Sequence, residues 1–256
     1  MDILPVPAYC QRLLDQVYTV SGRPLVYAAI DSPMSHEIAI AGPDEPEHRL
    51  WYKRGCEAHR DHLLVKTAKH ILRVWNEPES SRLIASYRHS ETLPDEYSDE
   101  LTARNPNLND DELEVTAMQL YDRVFSLLTY VPTDLQVERV IADSFPHHRR
   151  KQIAWLRRAA EQDMAPYLGA WADFNVPRGV QIVLERMGLA YLSEAAVLSE
   201  RDPADEYTHH PEYPAARRLI EHLDHLERQG REGDVEAIGR WADDLGLRDW
   251  YSVERL

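Results

Sequence analysis

The apolar positions of this chain change period several times, and each change marks an element. Behind Pro7, residues Leu13, Leu14, Val17 and Tyr18 recur at helical spacing and predict a first helix. SGRP at Ser21–Pro24 is a turn signal. Two short apolar runs follow, Leu25–Ile30 (LVYAAI) and His36–Ala41 (HEIAIA), separated by the turn-like DSPMS. They predict two strands joined as a hairpin, with a third strand near Arg49–Tyr52. From Cys56 to Trp75 the period becomes helical. Leu64, Ala68, Ile71 and Trp75 form one core-facing stripe, and His62, Lys66 and His70 form its neighbour. Pro78 supplies the stop.

Beyond this helix the polar segment Glu91–Glu112 reads as a loop, and a loop that long inside a domain is often functional or mobile. Leu113–Tyr130 reads as a helix, Pro132 as the start of another, and Pro146 as the start of a third. Val180–Leu198, Ala215–Arg228 and Val235–Leu245 continue the helical pattern. The polar DPADEYTHHPEYP from Asp202 reads as a linker to a helical appendage. The expected class is α+β, with a short sheet and a long central helix, then a mostly helical C-terminal half. No fixed-period repeat is present.

Composition narrows the function classes. At 256 residues the chain suits one or two domains with a proper core. No apolar run approaches the roughly 20 residues of a membrane helix, and MDILPVPAYCQRLLDQ lacks a signal-peptide pattern, so a cytoplasmic location is expected. Cys10 and Cys56 are too few for a disulfide framework and are expected as buried thiols. The net charge of −15 disfavours binding to phosphate backbones. It suits a basic protein partner, or mimicry of a nucleic acid.

The helix HLLVKTAKHILR carries a frame in which two histidines four apart, with a glutamate after the first, would make a zinc peptidase's HExxH site. Here the frame reads Lys66, Thr67, Ala68, Lys69, His70. An ammonium stands at the first ligand and a threonine at the general base. With HEIAIA before it, and Tyr130–Gln152 (YVPTDLQVERVIADSFPHHRRKQ) after it, the chain resembles the ImmA/IrrE family of zincin-like metallopeptidases over roughly residues 8–152. The resemblance implies a zincin-like domain over 1–152 and a helical region over 153–256. It places His70 at the second-histidine position, Lys66 and Thr67 at dead ones, and Glu138 at an acidic third ligand. It implies no cofactor and an inactive, regulatory protein-binding role, in a mobile-element or phage-related setting. Two alternatives stay open. One is a metal-dependent hydrolase, with zinc on a rearranged site drawn from His62, His70 and Glu138. The other is an acidic mimic that occupies a nucleic-acid-binding protein.

Other clusters carry weaker signals. His62 and His70 lie eight residues apart, about 12 Å along a helix, too far for one ion. His59 with His62, and His222 with His225, read as solvated pairs on polar faces. His147–His148 and His209–His210 are adjacent and do not converge on one metal from a helix. His36 and Glu37 should point to opposite faces of a strand. Asp110, Asp111, Glu112 and Glu114 read as complements to a helix N-terminus. The basic run His147–Arg158 reads as a helix paired with the protein's own acids. The chain has no G-x-S-x-G elbow and no glycine-rich phosphate loop.

Overall fold

The computed structural model describes residues 6–32, 35–87, 93–168, 175–224, 226 and 230–255. Pro33 and Met34 of the expected turn, Glu91 and Thr92 of the expected loop, and His225 lie outside them. The class is α+β, mainly helical, with a small mixed sheet.

Helix α1 (Ala8–Ser21) ends at Gly22, whose φ of 71° lets its N–H reach the carbonyl of Tyr18. Strands β1 (Leu25–Ile30), β2 (His36–Ala39) and β3 (His48–Lys53) form a sheet in the order β1-β3-β2. The expected hairpin is corrected here: β1 runs parallel to β3, and β2 runs antiparallel on the other side of β3. Strand β3 earns the centre by its alternation, with His48, Leu50 and Tyr52 buried and Lys53 exposed. Strands β1 and β2 therefore lie two strand spacings apart, roughly 10 Å, and do not pair with each other.

Helix α2 (Arg60–Trp75) follows a short 3-10 turn. Twelve of its sixteen residues are buried, so it is covered on nearly every face and not along one stripe. Leu64, Ala68 and Ile71 are buried as their spacing implies. So are His62, Lys66 and Thr67, which it does not foretell. Strand β4 (Leu83–Tyr87) comes next, then α3 (Asp95–Arg104), which replaces much of the expected loop. Pro94 at its N-cap and Asp95 and Glu96 in its first turn suit a helix start.

Helix α4 (Asp110–Ser144) is continuous for 35 residues, where two helices broken at Pro132 were expected. Its start is fixed by a capping box: Glu112 N–H donates to Asn109 Oδ1, and Asn109 N–H donates to Glu112 Oε2. An interior proline costs a helix about 3 kcal/mol, and burial of the turns around it outweighs that cost. The Thr129 and Thr133 hydroxyls donate to carbonyls in those turns.

Helices α5 (Arg149–Ala159), α6 (Arg178–Leu198), α7 (Pro203–Tyr207), α8 (Tyr213–Asp224) and α9 (Arg231–Leu245) complete the helical half. The segment after Asp202 is not an appendage. Trp241 of α9 is wholly buried and donates its indole N–H to Leu219 O, and one continuous set of buried side chains runs from Cys10 to Tyr251. The last strand, β5 (Tyr251–Arg255), pairs antiparallel with β4, which returns the C-terminal segment to the first half of the chain. Among the described residues, no helix is long and apolar enough to cross a membrane.

Candidate functional site

The polar centre of the molecule lies where α2 crosses α4. His62, Lys66 and His70 recur every four residues on α2, and Tyr130, Asp134 and Glu138 do so on α4, so each trio lines one helix face. The two faces meet in opposite directions and make a ladder. His62 Nε2 lies 2.9 Å from Glu138 Oε1, Lys66 Nζ lies 3.0 Å from Asp134 Oδ1, and His70 Nε2 reaches the same Asp134 oxygen at 3.2 Å. The side chains of His62, Lys66, Asp134 and Glu138 are fully buried, whereas that of His70 is 11% exposed. The ladder therefore opens towards solvent at its His70 end.

Around the central rung the polar contacts continue into a network. Lys66 donates to Tyr130 Oη at 2.6 Å, and its ammonium lies over the rings of Tyr130 and Trp155 at 5.3 and 5.1 Å. Burial, reinforced by the Asp134 charge, holds the Tyr130 hydroxyl well above its ordinary pKa, so it keeps its proton. Tyr130 Oη lies 2.9 Å from His36 Nε2, and His36 Nδ1 lies 3.1 Å from Ser35 Oγ. Burial, aided by the Lys66 charge, pushes His36 well below its ordinary value, so the imidazole is neutral and can accept. Burial opposes the charge on Asp134, but the Lys66 ammonium and the His70 hydrogen bond hold its carboxyl well below the usual carboxylate range.

The His62 rung leads away from the opening. Gln152 Nε2 donates to both Glu138 O and Glu138 Oε2, at 2.7 and 2.9 Å. His62 Nδ1 meets His148 Nε2 at 3.2 Å with the rings stacked, and His148 Nδ1 meets Tyr9 Oη at 3.0 Å. His62 Nε2–H donates to the Glu138 carboxylate, which leaves Nδ1 to face His148, and His148 to face Tyr9. Burial, with His62 alongside, lowers His148 to about 3, in keeping with a neutral ring.

The residues singled out in the sequence are thus partly reunited. Lys66 and His70 share Asp134, but Glu138 meets His62 and not His70, so His62, His70 and Glu138 are divided between two rungs. Thr67 is buried and its hydroxyl makes no hydrogen bond. The solvated reading of His62 is overturned, since the side chain is fully buried. His59 packs against Trp155 and not with His62, while His222 pairs with Asp244. His36 turns inward and Glu37 outward, as alternation requires. Within the basic run, Lys151 pairs with Asp61, Arg149 with Glu200 and Arg158 with Asp163. Both cysteines are buried, and burial raises the Cys10 thiol to about 11.

The contributions of Asp134, Tyr130, Gln152 and Tyr9 are not read from the sequence. The four-residue spacing of Tyr130, Asp134 and Glu138 is the signal that could have revealed the α4 trio. Pro132 hides it by suggesting a break.

Taken as a donor set, this ladder does not suit a divalent metal ion as it stands. The oxygen that would ligate, Asp134 Oδ1, already faces a fixed ammonium at 3.0 Å. Among the described residues, no three His, Cys, Asp or Glu side chains gather as a metal-holding group. No family model, curated protein or solved structure matches this chain.

Proposed function

We propose that this chain is a catalytically inactive, zincin-like metallopeptidase relative that serves as a regulatory protein-binding module. The observation that carries this reading is the Lys66 ammonium, fully buried and 3.0 Å from Asp134, beside His70 on the same helix face. The ammonium takes the charge and the carboxylate that a catalytic cation would need. Thr67, at the position of the general base, has no proton-accepting carboxylate to offer.

Support for a basic protein partner comes from where the charge lies. Residues 95–122 carry nine acidic side chains and one arginine, a net −8 of the chain's −15, in little more than a tenth of its length. They include the exposed outer face of α4, where Val115 and Met118 stand in water at 52% and 40% exposure. Two uncovered apolar side chains among carboxylates suit a partner that brings both cations and apolar contacts.

The test sets binding against catalysis. Partner capture from the native host at low and at high salt, with crosslinks mapped to residues, should recover a basic protein on 95–122 that is lost as salt rises. A peptidase assay with added zinc, manganese or cobalt should show no turnover. Metal-dependent turnover abolished by Glu138→Gln, with no salt-sensitive partner, would replace this reading with the hydrolase.

A further inference from the structure

A surface helix carries apolar residues on the side that packs and polar ones opposite. The opening turns of α4 break that rule. Ala117, Leu120, Tyr121 and Val124 are buried on the core side. On the other side Asp111, Val115, Met118 and Asp122 are all exposed, and their spacing of four, three and four residues sets them in one row. The row is about 16 Å long by the helical rise, and it ends where Phe125 is buried. Exposed Glu114 flanks it. Among the described residues, five large apolar side chains stand strongly exposed, and only Val115 and Met118 share a helix face. Tyr18 is on α1, Val197 on α6 and Val253 on β5.

The row itself selects what covers it. Beyond the first turn its backbone groups are spent within the helix, so no strand can be added there and contact is made by side chains. Spacing of four, three and four is that of the seam between two packed helices. The acids exclude a second copy of this chain. Parallel pairing sets Asp111 against Asp111, and antiparallel pairing centred between Val115 and Met118 sets Asp111 against Asp122, like charge on like in both cases. We infer that this row is the docking ridge for an amphipathic helix of the basic partner, a helix with two apolar residues set between two lysines or arginines at the same spacing. The inference rests on the reading above of a basic protein partner, and adds the partner's conformation and register. The apolar pair supplies contact area, and the flanking charges set the register and the sensitivity to salt.

The experiment uses the full chain and two synthetic peptides of identical composition. In one, Lys-x-x-x-Leu-x-x-Leu-x-x-x-Lys on an alanine and glutamine background puts the four residues on one helix face. In the other the same residues are shuffled around the helix. Binding is followed by fluorescence anisotropy of the labelled peptide, and helicity by circular dichroism. The patterned peptide should bind about tenfold more tightly than the shuffled one and gain helicity as it binds. Met118→Ser should weaken binding at every salt concentration, whereas Asp111→Asn with Glu114→Gln should weaken it chiefly at low salt. All three positions are exposed, and unchanged thermal unfolding confirms that the variants fold. Equal binding of the two peptides, or binding indifferent to Met118→Ser, would overturn the helix inference and leave a basic partner of another shape. A native chain that self-associates until Met118→Ser separates it would overturn it in favour of a second copy. Failure to capture any salt-sensitive partner in the experiment above would instead remove the underlying reading, and this inference with it.

Discussion

The two halves of α4 spend charged residues in opposite ways. In the first, Asp110, Asp111 and Glu112 crowd the opening turn beside the Asn109 cap, facing water and the positive end of the helix dipole. In the second, Asp134, Glu138 and Arg139 are buried, and each is matched to a particular side chain: Lys66, His62 and Glu194. Asp110 and Asp111 act on the helix end through charge, while Glu112 also completes the cap. Charge in the second half selects which helix face lies against α4, because removing either member leaves the other stranded in a medium that solvates it poorly. The contrast also divides the helix: its opening turns face water, and its second half is held in the core by matched charges.

The largest effect should come from unbalancing the central rung. Lys66→Met leaves Asp134 buried without its ammonium and should cost about 3–5 kcal/mol of unfolding free energy in urea titrations. Loss of less than about 1 kcal/mol would erase the contrast. Apolar truncation should follow the same division. Leu135→Ala, in the buried second half, should cost about 2–5 kcal/mol, whereas Val115→Ala, on the exposed face of the opening turns, should stay within about 0.5 kcal/mol. Equal costs would show that Val115 is covered too.

Acid should loosen the buried packing around His148 and His48 before it affects the exposed opening turns of α4. His148 is lowered to about 3 and His48 to about 4, each chiefly by burial. Between the ordinary histidine value near 6.5 and these folded values, the unfolded chain binds protons that the folded one refuses. Stability is therefore full above about pH 6.5 and falls as pH drops towards 4, by up to about 1.4 kcal/mol per pH unit for each such histidine. His148→Gln should flatten this slope when unfolding is measured across pH 7 to 4, and an unchanged slope would contradict the assignment. The smallest effect is expected at the cap. Asn109→Ala should cost on the order of 1 kcal/mol and fray the first turn in hydrogen exchange while leaving the ladder protected.

Much of this is legible in the sequence, and the misses share a cause. The α2 stripe, the inward His36, the acidic first turn of α4 and the self-pairing of the basic run follow from local periodicity and charge. What escapes is set by partners distant in the chain. Strand β4 becomes a strand by meeting β5, some 165 residues on, and α4 runs through Pro132 because its flanking turns are packed on both sides. His62 looks like a solvated helix residue until Glu138 and His148 cover it. Lys66 stands out in the sequence by its spacing from His70, but no local pattern names Asp134 as its partner.

A double-mutant cycle on Lys66 and Asp134 tests the central claim, that an ammonium and a carboxylate in this junction are held for each other. Unfolding free energies are compared for the native chain, Lys66→Met, Asp134→Leu and the double variant. Each single change should cost several kcal/mol, and the double should cost at least about 2 kcal/mol less than their sum, because no charge is left stranded. Costs that add to within about 0.5 kcal/mol would contradict it, since Lys66 and Asp134 would then be neighbours without dependence.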